Sequence, residues 1–136
     1  MTQSPNRLVA TIFGAVYLLV GVLGLFVAGG NVVGQEGGLL LGVFQVNHLH
    51  NIAHLLIGAA LLIAGLRSTP AAKATNTTVG AVYLLLGIVG FFIVDTALNI
   101  LALNTADHYL HLASAIVLLG VGLALDRRTT TARATV

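Results

Sequence analysis

The stretch Asn47-His48-Leu49-His50-Asn51-Ile52-Ala53-His54-Leu55-Leu56-Ile57-Gly58 sets three histidines and two asparagines at the head of an apolar run that continues to Gly65. A second apolar run opens in the same way with His108 and His111, which completes the chain's five histidines. Residues three and four apart share a helical face. Asn47, His50, His54, Gly58 and Gly65 therefore form one stripe, and Asn104, Asp107, His111, Ala115 and Gly122 form another.

The surroundings decide what kind of helices carry these stripes. Of 136 residues, 57% are hydrophobic and 7% charged, against about 25% charged in a soluble domain. Mean hydropathy is +1.00. A helix needs about 20 apolar residues to cross a bilayer, and four segments qualify: 8–28, 51–66, 79–101 and 110–125, the second starting near Asn47 if it is to be long enough. The fold expected is an all-α, polytopic four-helix membrane bundle, one domain over residues 1–136. A polar middle loop is expected at 68–78 and a minimal outer loop at 103–106. The first outer loop, 29–46, carries Glu36 and the apolar run 39–44, too short to span, which suggests an interfacial or re-entrant cap. The tail from 127 onward is Thr- and Arg-rich, with a disordered or headgroup-bound character.

An internal repeat organises the spans. Gly14-Ala15-Val16-Tyr17-Leu18-Leu19 and Gly21 and Gly24 recur 66 residues later as Gly80-Ala81-Val82-Tyr83-Leu84-Leu85, Gly87 and Gly90. Asn47, His50 and His54 align at a shorter offset, 57, with Asn104, Asp107 and His111. This pattern reads as a duplication: two parallel two-helix repeats, about 7–66 and about 76–126, related by an axis along the membrane normal. Recurrence of the same sequence in the third span also rules against a cleaved signal peptide for the first. Gly14/Gly21, Gly80/Gly87, Gly58/Gly65 and Ala115/Gly122 are spaced by two turns, so each pair lies on one face and lets helices approach closely. Repeated tyrosines, Tyr17 and Tyr83, are expected to hydrogen-bond a neighbouring helix.

The basic residues Arg7, Arg67, Lys73, Arg127, Arg128 and Arg133 all fall before the first span, between the second and third, or after the fourth. The positive-inside rule then puts both termini and the middle loop in the cytoplasm, in the plasma membrane, with the histidines toward the outer face. The basic pI near 9.5 is an orientation signal and not one for nucleic acid. Absence of cysteine excludes disulfides and thiolate ligands.

His50, His54, Asp107 and His111 form a three-His, one-Asp set suited to Zn²⁺ or another imidazole-binding divalent metal, at helix N-termini whose dipole keeps imidazole neutral. Asn47, His48, Asn51, Asp95, Asn104 and His108 stand by in support. The same residues also read as N-caps and interfacial hydrogen-bonding groups. The expected function is a structural or accessory membrane protein with a polar cluster, packing in lipid beside a larger complex or a second copy; the alternative is a metal-binding (Zn or Cu type) or haem-binding protein, and a proton or small-solute path is a further reading. An enzyme is disfavoured, Ser114 near His111 being the one weak nucleophile signal.

The elements 14–24, Asn47-x-x-His50-Asn51-x-x-His54-Leu55 and Asp107-His108-x-x-His111-Leu112 resemble the small four-span membrane proteins of domain of unknown function 4383, common in actinobacteria. The likeness covers nearly the whole chain and implies an integral membrane location without an activity. By analogy with Asn51, asparagine is expected where His108 stands.

With no native cysteine, single-cysteine variants report topology directly. Glu36→Cys should react with an impermeant maleimide from outside the cell, and Thr2→Cys and Thr135→Cys only after permeabilisation; cytoplasmic-side labelling of Glu36→Cys contradicts the orientation.

Overall fold

The computed structural model describes residues 4–127. Four long helices account for most of them: α1 Pro5–Val27, α2 His48–Arg67, α3 Thr69–Ile93 and α4 Thr105–Ala124. A hairpin of β1 Gly38–Leu40 and β2 Phe44–Val46 lies between α1 and α2. All four helices are long and apolar enough to cross a membrane, with mean hydropathy of 2.4, 1.8, 1.8 and 1.4 in chain order. At 1.5 Å per residue, 20 residues reach about 30 Å, the thickness of the hydrocarbon core. The outward faces carry large apolar side chains such as Phe26, Leu56, Phe92 and Ile116, all mostly exposed. The protein is a multi-pass membrane bundle. Arg128, Arg133, Thr2, Thr135 and the tail beyond Arg127 lie outside the described residues.

Packing is strongest within the hairpins α1–α2 and α3–α4, and sparse between α1 and α4 and between α2 and α4. Small residues explain the tight pairs. A Cβ on Gly58 would stand 2.7 Å from the Leu18 backbone nitrogen and 3.0 Å from the Gly14 carbonyl oxygen, so α1 and α2 meet backbone to backbone. A Cβ on Gly80 would stand 2.8 Å from the Leu119 nitrogen, which joins α3 to α4 in the same manner. Positions equivalent by the 66 and 57 offsets make equivalent contacts: Gly21 receives Leu55 and Gly87 receives Leu112, while Gly65 receives Thr11 and Gly122 receives Thr77. In lipid this close approach replaces the hydrophobic drive that joins helices in water. Between the two hairpins the core is Tyr17, Leu61, Tyr83 and Leu118 with the small residues Ala10, Ala72 and Ala115.

Several boundaries depart from expectation. Residues 69–78 are helical: α3 begins at Thr69 immediately after Ser68, whose hydroxyl caps the Ala71 N–H at 3.3 Å. Pro70 suits a first turn, and Ala72 and Asn76 are fully buried, so this polar segment has an inward face. At the other end α3 stops at Ile93, and a loop runs over 94–104. Asn99 organises it by donating to the Val94 and Leu103 carbonyls (2.9 and 2.8 Å) and accepting from the Leu103 N–H (2.8 Å). Such local bonds compete with helix. The run 39–44 is a hairpin. The Val43 N–H donates to the Leu40 carbonyl at 3.1 Å across Leu41 and Gly42. Their φ values of 54° and 71° match a type I′ turn, which needs positive φ at both positions. Leu41 accepts a backbone region that costs a non-glycine residue about 1–2 kcal/mol, and it projects outward, 77% exposed.

The start of α1 and the segment just after α4 meet at the face opposite the hairpin. Asn6, fully buried, donates through Nδ2 to Val121 O (3.1 Å) and Asp126 Oδ2 (2.9 Å), and its backbone N–H reaches the same carboxylate at 3.0 Å. Asn76 donates to Asn6 Oδ1 (3.1 Å) and O (3.0 Å), tying in α3. Arg7 holds the last carbonyls of α2, Gly65 and Leu66, at 2.8 Å each, and Lys73 holds Leu125 O at 2.8 Å. Cations at helix C-termini are favourable.

Desolvation would raise the Asp126 carboxyl, but hydrogen bonds from Asn6 and Ser4 and the charge of Lys73 outweigh it and hold it below the usual carboxylate range. A depressed folded pKa gives stability that is present above the unfolded value, about 3.9, and lost as pH falls through the lower folded one. Asp126→Asn should flatten the acid limb of a thermal-stability profile in detergent; an unchanged limb contradicts the clasp. The helix seam has its own test. Gly58→Val should destabilise by about 1–3 kcal/mol or more, whereas Gly120, with nothing near a prospective Cβ, should accept alanine with a gain of up to about 1 kcal/mol. Equal effects in reversible unfolding would contradict the seam.

Candidate functional site

The two helices that begin at the hairpin end are capped alike. Asn47 accepts the His50 N–H at 2.9 Å, and Asn104 accepts the Asp107 N–H at 3.1 Å. Asp107 returns a bond, its Oδ2 accepting the Asn104 N–H at 2.9 Å, which completes a capping box. The caps also strap the loops. Asn47 Nδ2 donates to Gly34 O (3.0 Å) and Ile100 O (2.9 Å), and Asn104 Nδ2 donates to Val43 O (2.8 Å). Each cap therefore reaches across to the loop of the other hairpin. The first turns of α2 and α4 are fixed from both sides.

That registration turns His50, His54 and His111 into the bundle, at 2%, 7% and 3% exposure. Ring centroids lie 4.5 Å apart for His50–His54, 5.9 Å for His50–His111 and 6.4 Å for His54–His111. One nitrogen of each ring falls within 4.8 Å of the others. Both nitrogens of His50 and Nδ1 of His54 and His111 are buried without a hydrogen-bond partner. Orphaned buried donors or acceptors each cost about 1–3 kcal/mol, so this grouping calls for a physical reason.

Beneath the histidines sit the repeated tyrosines. Tyr17 stacks on His54 and Tyr83 on His111, each with planes 6° apart, at 5.6 and 4.9 Å. Tyr17 and Tyr83 meet edge to face at 5.5 Å on the line between the two hairpins. Their hydroxyls have no partner, so these side chains act here by stacking and not by the hydrogen bond expected of them. Their spacing in the sequence, one per repeat, was the available signal; that they would meet the histidines depends on how far the helices lean together.

The other polar residues take separate places. Asp107 remains a cap, one turn outward from His111, and is not among the three converging ligands. His48, the first residue of α2, hydrogen-bonds Gly29 O at 2.8 Å in the loop after α1. Asp95 is exposed in the turn after α3. Asn51 packs against Gly24, and His108 packs against Gly90 with its ring 4.8 Å from Phe91. Both are buried between the helices of their own hairpin and have unpartnered polar atoms. Ser114 lines a cavity of about 350 Å³ between α1 and α4, together with His54, Tyr17 and Asp107.

Three imidazoles converging from two helices can ligate a borderline transition-metal ion. Asn6 and Asn76, the buried pair at the opposite end, escaped the sequence reading because they lie in segments that look like tail and loop. Asn6 is the second residue of α1 and Asn76 the eighth of α3, each within a polar stretch of sequence.

No curated protein and no solved structure matches this chain. Residues 7–133 match the family model described as domain of unknown function DUF4383. That match covers nearly the whole chain, and the protein belongs to the DUF4383 family.

Proposed function

We propose that this membrane protein binds one metal ion, of Zn or Cu type, through His50, His54 and His111. The observation that carries the reading is the mutual proximity of three buried imidazoles whose nitrogens lack partners. A cation satisfies one lone pair on each ring at once. The spread of 4.8 Å is wider than the roughly 3.3 Å between nitrogens on one tetrahedral zinc, so loading draws the rings together. Asp107, nearby on α4, offsets part of the ion's charge in a low-dielectric setting. Basic residues at the termini end support cytoplasmic termini in the plasma membrane, with the metal site in the outer half. The repeated contacts at offsets 66 and 57 support one domain built by duplication. Porphyrin is disfavoured because Tyr17, Tyr83 and His50 fill the space around the His54–His111 line.

A structural role is the competing reading, and the parallel Tyr–His stacks favour it, since they seat two rings without an ion. Elemental analysis of detergent-purified, metal-reconstituted protein separates the two. One Zn or Cu per chain is expected. His54→Leu and His111→Leu should abolish it, and His48→Gln should retain it. The rings of His54 and His111 have no hydrogen-bond acceptor among the described residues. Ligand histidines normally have one, worth about 10–100-fold in affinity, so a chelator should strip the ion readily. Substoichiometric metal in the wild type, together with a large loss of stability in His54→Leu, would leave the structural role.

A further inference from the structure

The start of α3 and the end of α4 enclose an open groove of about 810 Å³, at the opposite end of the bundle from the histidines. This end lies at a membrane surface whichever way the bundle is oriented. Lys73 on α3 and Asp126 just past α4 both line the groove. Lys73 Nζ reaches Leu125 O at 2.8 Å, so its ammonium stands beside the last carbonyls of α4. It is close enough to Asp126 to help hold that carboxyl down, yet no ion pair joins the two among the described residues. Each keeps bonding capacity. An ammonium has three donors, and Lys73 gives one to Leu125. Asp126 takes Ser4 and Asn6 on Oδ2, while its Oδ1 accepts nothing from the described residues. Toward the bilayer interior the wall continues as Ala74 and Leu123, both exposed.

We propose that this groove seats the headgroup of a zwitterionic phospholipid bearing a primary ammonium, with its phosphate on Lys73 and its ammonium on Asp126. Two opposite charges share the groove without contacting each other, and a head that carries both signs answers both. Hydrogen bonds between ionised groups are roughly twice as strong as neutral ones. A trimethylated ammonium has no N–H to give Asp126 Oδ1. An anionic head has no cation for it, and brings its net negative charge beside the carboxylate. The depth fits as well. The headgroup layer takes up about 5–8 Å on each side of the hydrocarbon core, and at 1.5 Å per residue the wall from Thr69 to Thr78 runs about 14 Å. The charged end of the groove therefore lies among headgroups, and Ala74 and Leu123 meet the upper acyl chains. The site is remote from the histidines and needs no ion there.

Native mass spectrometry of the full chain, released from detergent, counts bound lipids directly. The protein is titrated with phosphatidylethanolamine, phosphatidylcholine or phosphatidylglycerol of identical acyl chains. The first ethanolamine lipid should bind about tenfold more tightly than either of the others, a difference of about 1.4 kcal/mol. Lys73→Gln should bring the three lipids within about twofold of one another. Ala74→Phe, at an exposed position of α3 in the groove wall, should do the same by filling the space, and it serves if Lys73→Gln loses its helical circular dichroism. Equal affinity of the wild type for all three lipids overturns the proposal. So does preference for phosphatidylglycerol, which the basic residues Arg7, Arg67 and Arg127 near this end would produce by general attraction of anionic lipid. Ethanolamine preference that persists in the folded variants also overturns it.

Discussion

Backbone contact between paired helices governs this molecule. Gly58 against Gly14 and Leu18, and Gly80 against Leu119, remove the side-chain layer that would otherwise separate the helices. Only then do Tyr17 and Tyr83 reach each other at 5.5 Å across the interior. The tyrosines in turn seat His54 and His111 by stacking. A bilayer sharpens the constraint, because polar side chains at membrane depth must find partners inside the bundle. Small residues and polar residues therefore share a stripe: one sets the helix separation and the other occupies the interior that results.

The halves match in scaffold and differ in chemistry. Caps, glycine seams and tyrosines recur at the 66 and 57 offsets. Among the differences, His50 stands where the second half has Asp107, and Asn51 where it has His108. The first difference makes a third imidazole on one side and a capping carboxylate on the other. A symmetric pair of histidines thereby becomes a set of three. The second difference fills the space over Gly24 with an amide and over Gly90 with a ring, within each hairpin and away from the interface between them. The cross-strapping by Asn47 and Asn104 keeps both helix starts registered despite loops of different length.

Spans, family and the converging faces of His50, His54 and His111 were legible because hydropathy and the i,i+4 rule act along one helix. What escaped depends on contacts between helices. The helical start at Thr69 is driven by Ser68 capping and by burial of Asn76 against Asn6, and neither is visible in a polar run. The hairpin at 38–46 looks like an apolar loop until its positive-φ turn at Leu41 and Gly42 is seen. Asp107 has ligand chemistry and ligand spacing, but its own capping box claims it. The cavity between α1 and α4 could not be read at all, since it arises where two helices pack sparsely.

The central claim is that three histidines from two helices form a single ion-binding group. Nitrogen-15 NMR of histidine-labelled protein, titrated with Zn²⁺, addresses it residue by residue. The account predicts that ring signals of His50, His54 and His111 shift together and saturate at one equivalent, while those of His48 and His108 stay in place. Independent shifts, shifts confined to His48 at the start of α2, or no saturable change at the three buried rings would contradict it.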